Sequence, residues 1–314
     1  MTDSDINDRQ RPRSLLTTVL ATIGGLTILG FLFITLFFMW IVRSVGERPV
    51  LSGQGIGVVE IAGMIADVEP YLEMLREFRD ASDIKAVIVR IDSPGGAVGA
   101  SQELYEEIQA VDKEKPVVAS LASMAASGGY YAALGARHIV ANPGTVTGSI
   151  GVIMKLPNIG PLLDKIGIST TVIKSGDLKD LSPVTREITE QERRVLAGVM
   201  DDIHAQFVSA VSESRGLPLE DVERLADGRI FSGSQAHDLG LLDELGGFER
   251  AVERGAEYAK ISGRPEVVYP QEDRLRFLRK MLREEVSALL SGVLSGGVAS
   301  APQISKGFSY EYVP

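Results

Sequence analysis

The sequence has no cysteine. That excludes disulfides, thiol nucleophiles and thiolate metal sites. Histidine is nearly as scarce: His138, His204 and His237 are the whole supply, and no two have ligand-like spacing. A histidine metal centre is therefore not expected, and histidine is a poor candidate for a catalytic base. His138 lies in a strand-like run, His204 in a long helical run and His237 in a short helical segment. Basic charge is also in deficit. With 32 Lys and Arg against 42 Asp and Glu the net charge is −10, which argues against a nucleic-acid surface, since phosphate binding needs a basic patch. The P-loop pattern G-x-x-x-x-G-K-[ST] is absent, so the glycine pair in "DSPGG" (92–96) is no phosphate cradle. No internal repeat is visible.

What the chain does have is 314 residues, 45% of them hydrophobic, enough for a sizeable core. Residues 14–42 carry no charge. At about 1.5 Å rise per residue this run exceeds the roughly 30 Å apolar core of a bilayer. It is too long for the apolar region of a cleaved signal peptide, and no A-x-A pattern follows it directly. A single transmembrane anchor is expected, behind a polar arm (1–13) and ahead of a Gly-, Pro- and Ser-containing linker (43–55). Arg9, Arg11 and Arg13 before the run, against Arg43 and Arg48 after it, tilt the N-terminus toward the cytoplasm.

Beyond the linker, strand and helix patterns alternate. Strands are expected at 56–63, 84–96, 115–121, 137–143 and 169–176. Helices are expected at 68–80, 100–113, 160–167 and 189–216, the last opened by a capping box from Thr189 to Glu192. The alternation implies an α/β fold with parallel strands. An amphipathic helix is expected over 273–292 and a loosely ordered tail over 293–314.

Three stretches carry chemistry. In "DSPGGAVGAS" (92–101), Gly95 and Gly96 permit a sharp turn and a close backbone approach after a strand, although an ordinary strand-to-helix turn would look the same. In "SLASMAASGGYYAALGA" (120–136), an apolar strand runs into a helix start rich in small residues. Ser127 sits near the helix N-terminus, as a cap or as a nucleophile whose oxyanion needs the free N–H groups. Small residues at 125, 126, 128 and 129 predict an open hydroxyl; tight helix packing is the plain alternative. In "KSGDLKDLSPVTRE" (174–187), Lys174 and Lys179 are ordinary surface charges unless desolvated, when a neutral amine becomes a general base. A serine needs such a base, and a Ser–Lys pair is the better hydrolase hypothesis here.

"DSPGG", "SMAASGGYY", "GTVTGSIGVI" and "KSGDLKDLSP", in this order, resemble the short form of the signal peptide peptidase A family, bacterial membrane-anchored serine peptidases. The resemblance covers about residues 56–262, with "ADGRIFSGSQAHDLGLLDELGG" (226–247) continuing it, and leaves 263–292 to a strand and the amphipathic helix. It implies the fold shared by Clp protease and crotonase, stacked β-β-α units with helical arms, behind one transmembrane helix. It implies Ser127 as nucleophile, Lys179 as general base, Ser149 orienting that lysine, the Gly96 N–H as oxyanion donor and Gly128 as a second donor. Lys174 would be structural. No cofactor or metal is implied. Expected partners are signal peptides and other extended apolar peptides, membrane lipid around the anchor, and copies of the chain in a ring, octameric in the short forms, with Ser127 of one subunit meeting Lys179 of its neighbour. The implied location is the bacterial inner membrane, N-terminus cytoplasmic and catalytic domain outside. The rival readings are a crotonase-type acyl-CoA enzyme and an inactive membrane-tethered scaffold. "VASAP" (298–302) resembles a signal-peptidase cleavage pattern, so the chain's own tail is a candidate substrate.

Overall fold

The computed structural model describes residues 15–45, 54–270 and 309–311, with side chains described for 22–37, Met39 and 54–270. The chain divides into two compact units, one comprising Met1–Val50 with Gln271–Val298, the other Leu51–Pro270 with Ala299–Pro314. The first is represented by α1 (Leu15–Val45), a 31-residue helix whose described apolar side chains, Leu26, Phe31 and Met39 among them, are exposed. Among the described residues no helix is long and apolar enough to cross a membrane. The polar arm, most of the linker, the expected helix over 273–292 and "VASAP" lie outside the described residues.

The second unit is built on an eight-stranded sheet. β1 (Gly55–Ala62), β2 (Ile84–Ser93) and β4 (Val117–Ala126) form its parallel centre, and β9 (Glu266–Val268) adds to β1. Successive apolar residues in the central strands point to opposite faces and both faces are covered, so the strands read as continuous apolar runs. Val59, Ile61, Val87, Val89 and Ile91 pack on one side, with Leu72, Leu75 and Phe78 of α2 (Glu69–Asp80) and Leu104, Ile108 and Val111 of α3 (Val98–Glu114). Ile56, Val58, Ala86, Ile88 and Val118 pack on the other, with Ala251, Val252 and Ala256 of α9 (Phe248–Tyr258). Each Val, Leu, Ile or Phe among them, where fully buried, contributes about 1.5–3 kcal/mol.

The strand that matters for the site is β4, because it forks. Its first half pairs with β5 (His138–Ala141), from Val118↔His138 to Leu121↔Ala141. Its second half leaves β5 and pairs with β6 (Val146–Gly148), from Met124↔Val146 to Ala126↔Gly148. β4 thus runs further than the expected 115–121, to the residue before Ser127. The sheet is mixed rather than parallel throughout, because β7 (Ile230–Ser232) runs antiparallel to β6. A short β8 (Glu244–Leu245) extends β5. After β6 come α5 (Gly160–Lys165), α6 (Glu190–Arg215), α7 (Leu219–Leu225) and α8 (Gly233–Asp238).

One expected strand does not form. Residues 169–176 are irregular and exposed, Ile173 by 97%. Their β-branched composition suits a strand, but a strand needs an edge to pair with, and no described strand lies along it.

Candidate active site

β2 and β4 end side by side, with Ser93 opposite Ala125. Both then turn abruptly, and the two turns face each other at the carboxyl ends of parallel strands, where α/β sheets place their sites. After β4 comes Ser127, with φ 53° and ψ −118°. Positive φ at a non-glycine residue is uncommon and costs of order 1–3 kcal/mol. The residue is held there from both sides. Its N–H donates to Gly148 O at 2.7 Å, and its carbonyl accepts from Tyr131 N at 2.8 Å, opening α4 (Gly128–Ala133).

Ser127 occupies the N-cap position of α4, yet its side chain makes no capping hydrogen bond. The capping alternative is therefore excluded. Ser127 is 1% exposed, and among the described residues its Oγ is the one buried side-chain polar atom with no hydrogen-bond partner. Leaving such a group unpaired costs about 1–3 kcal/mol. The expectation of a sterically open hydroxyl is corrected: the small neighbours allow close packing instead. A Cβ on Gly129 would lie 3.0 Å from Ser93 O, so α4 rests directly on the end of β2.

The glycine turn after β2 is fastened as closely. Gly95 N donates to Ser93 Oγ at 3.0 Å. Gly95 O accepts from Ile65 N at 2.9 Å, and Ala97 N donates to Ile65 O at 2.7 Å. The backbones of Ile65 and Gly96 touch, and a Cβ on Gly96 would fall 1.9 Å from Ile65 O. Only glycine fits. The turn opens into β3 (Gly95–Ala97), whose free edge carries an antiparallel strand from the chain's own C-terminal segment, β10 (Ser309–Glu311), with Tyr310 opposite Gly96. β10 also touches α4, so the chain's own backbone runs beside the serine.

Ser149 follows Gly148, the residue that receives the Ser127 N–H. It too is buried and has φ 53°, and its N–H donates to Arg229 O at 2.8 Å. It lines a cavity of about 440 Å³ with Val152, Met200, His204 and Gly228. His138 lies at the other end of the sheet: it is opposite Val118 and bonded to Glu244 and Tyr258.

Lys179 stands apart. It lies in a 3-10 turn, Asp177–Asp180, and is exposed. Since Ser127 Oγ has no partner, the two are not hydrogen-bonded within the chain, and the desolvated lysine expected from the sequence is not found there. Lys174 Nζ donates to Asp177 O at 2.6 Å, tying down the start of the turn. Its far end is held by Arg186, whose Nη2 donates to Asp180 O at 3.0 Å and Asp180 Oδ2 at 2.9 Å. Arg186 also grips Glu192 through both nitrogens, at 2.9 and 2.7 Å. Glu192 completes the capping box of α6 with Thr189. The Arg186 guanidinium, then the Thr189 N–H, lower the Glu192 carboxyl to about 2. The capping box was legible in the sequence, but Arg186 was not, because nothing distinguishes it there from a solvated loop arginine.

Residues 109–262 match the family described as Peptidase family S49. A protein of Synechocystis named as a candidate protease is 45% identical over 206 residues, covering 65% of this chain and 74% of that one. A protein of Enterococcus faecium named as a candidate signal peptide peptidase SppA is 31% identical over 235 residues, 70% of this chain and 68% of that one. Protease 4 of Salmonella typhi is 31% identical over 267 residues, which span 79% of this chain but 43% of that protein. Among solved structures, a ClpP1 mutant from Listeria monocytogenes aligns with TM-score 0.44 and 18% identity, covering 62% of this chain and 93% of that one.

Proposed function

Since this chain belongs to peptidase family S49 and is a serine peptidase, we propose that it is a membrane-anchored endopeptidase that uses Ser127 as nucleophile and Lys179 as general base to degrade remnant signal peptides. The observation that carries the reading is the Ser127 hydroxyl: buried, at positive φ, and without a partner. A chain that bears backbone strain to hold an unpaired hydroxyl, with a second serine of the same φ close by in sequence to its hydrogen-bond partner Gly148, has a use for it.

The chemistry runs in two halves. Neutral Lys179 Nζ takes the Ser127 proton as Oγ attacks a peptide carbonyl. The oxyanion is received by the Gly96 N–H, with Gly128 as a second donor, a contribution of about 3 kcal/mol per donor. Protonated Lys179 gives its proton to the leaving amine; neutral again, it takes a proton from the water that attacks the ester and returns it to Ser127 Oγ as the acid product leaves. Ser149, adjacent through Gly148, orients the lysine. No cofactor takes part.

Because Lys179 is exposed and Ser127 unpaired in one chain, the reading includes a second copy: the lysine is lent to a neighbouring subunit in a closed ring. Residues 14–42, uncharged and helical over 15–42, anchor the ring in the inner membrane, catalytic domain outside the cytoplasm. Apolar peptides left in the bilayer are then local. Pairing of β10 with β3 supports a peptide substrate, since it puts an extended strand against Gly96.

A fluorophosphonate probe tests the centre. The full chain in detergent is expected to be labelled at Ser127 and to lose peptidase activity with the label. Labelling that persists in Ser127→Ala, or a fully active Lys179→Ala, would overturn the assignment.

A further inference from the structure

We infer that Arg186 is a positioning residue for Lys179, holding the lysine's turn in register with the first turn of α6. The inference rests on the reading of Lys179 as the base. Lys179 N donates to Gly176 O at 3.1 Å, so the turn is short and closed, and Asp180 is the residue immediately after the lysine. Arg186 grips Asp180 by its carbonyl and its carboxylate at once. That fixes the Asp180 side chain and the Asp180–Leu181 peptide plane, the one that follows the lysine's own, and so restrains the turn that carries Lys179. The other Arg186 contacts run to Glu187 O at 3.0 Å and to the Glu192 carboxylate.

Glu192 is fixed in turn. Its side chain is 3% exposed, and it accepts from Thr189 N at 2.7 Å while its own N–H donates to Thr189 Oγ1 at 3.2 Å. α6 carries that fixed point into the core through Leu196, Phe207, Val208 and Val211. Phe207 packs on Tyr131, ring centroids 4.8 Å apart, and Tyr131 belongs to the helix that Ser127 opens. One continuous set of contacts therefore joins the turn that presents Lys179 to the helix that presents Ser127.

The chemistry of the clamp favours a positional role. Arg186 and Asp180 keep about a third of their side chains in water, and a partly exposed ion pair adds little net stability. What a bidentate guanidinium adds is geometry: its planar fork meets two carboxylates and two backbone carbonyls in one fixed arrangement, which a lysine's point charge cannot reproduce. An exposed base that must enter another binding surface needs such support, because an error of about 1 Å in a catalytic group can cost of the order of 100-fold in rate.

The test uses the full chain in detergent and a fluorogenic peptide amide with apolar residues before the scissile bond. Arg186→Met is expected to lower kcat by roughly 10- to 100-fold per folded enzyme, with KM unchanged. Arg186→Lys recovers part of the loss. Asp180→Ala, which leaves the Arg186–Glu192 pair intact, lowers kcat with no fall in melting temperature. Lys179→Ala is run alongside: if it stays active, the dyad reading fails and takes this inference with it. If Lys179→Ala is dead while Arg186→Met and Asp180→Ala keep wild-type kcat per folded enzyme, the clamp inference alone is overturned. If Arg186→Met does not fold, Asp180→Ala decides by the same criterion.

Discussion

Ser127 and Ser149 share a φ of 53° and flank the same hydrogen bond, Ser127 N to Gly148 O. At Ser127 the strain adds to an unpaired buried hydroxyl, so the residue works against stability twice. Ser127→Gly removes both penalties, and the flexibility of glycine returns part of the gain to the unfolded state. It is expected to be inactive and more stable by about 1 kcal/mol, read as a raised melting temperature. An unchanged or lowered melting temperature would mean that the conformation is unstrained. Gly96→Ala goes the other way. Its methyl would fall on Ile65 O, and backbone must move to admit it. We expect a lower melting temperature and, if Gly96 is the oxyanion donor proposed above, a loss of kcat of order 10²-fold or more as it is displaced. The Glu192 carboxyl, lowered to about 2 chiefly by Arg186, sets the acid limit of the clamp. A depressed carboxylate contributes stability in full above its unfolded pKa of about 4.5 and loses it as pH falls toward the folded value. The stability difference between wild type and Glu192→Gln should therefore shrink between about pH 4.5 and 2 and be flat from pH 5 to 8. Small residues around a hydroxyl and paired glycines after a strand make Ser127 and Gly96 noticeable in the sequence, whereas Lys179 is singled out there only by the family resemblance. The sequence cannot display the positive φ of a serine or the use of one arginine among many, which depend on residues brought from elsewhere in the fold.

The alternating centre of the sheet could be read directly, since β1, α2, β2 and α3 each carry enough apolar residues at a single period to declare themselves. The fork in β4 could not. It depends on β6 and β7, three residues each, too short to show a period, and yet it is β6 that receives Ser127. The stretch 169–176 shows the opposite failure: strand composition without an edge to pair with. β10 gained an edge that its sequence did not advertise, and it lies where a peptide substrate would lie if Gly96 holds the oxyanion. An internal strand competes with a substrate at high effective concentration. Removing residues 309–314 is therefore expected to lower KM for a fluorogenic peptide, with kcat little changed. A KM equal to that of the full chain would show that the segment does not contest the site.

In the molecule as a whole, the two proposed catalytic groups are presented differently. Ser127 is buried at the carboxyl end of a central strand, while Lys179 rides on an exposed turn after a segment that leaves Leu162, Ile166, Ile168, Val172 and Ile173 in solvent. Apolar side chains gathered in one exposed segment mark a surface that something covers, and a neighbouring copy would cover it while burying the lysine. The contact would be heterologous, the arm of one subunit on the serine face of the next, and such contacts close into rings when the rotation permits. Complementation separates this from a dyad within one chain. Ser127→Ala and Lys179→Ala chains, each inactive alone, are unfolded together in equal amounts and reassembled. In a randomly mixed ring, a site works only where a Lys179→Ala subunit supplies the serine and its Ser127→Ala neighbour supplies the lysine, which gives about a quarter of wild-type activity. Restoring activity well below the wild-type level, with its peak at equal mixing, is the signature of a shared site. Mixed rings that assemble, as judged by mass, and remain inactive at every ratio would place both groups in a single chain and leave the exposed turn to swing inward by itself.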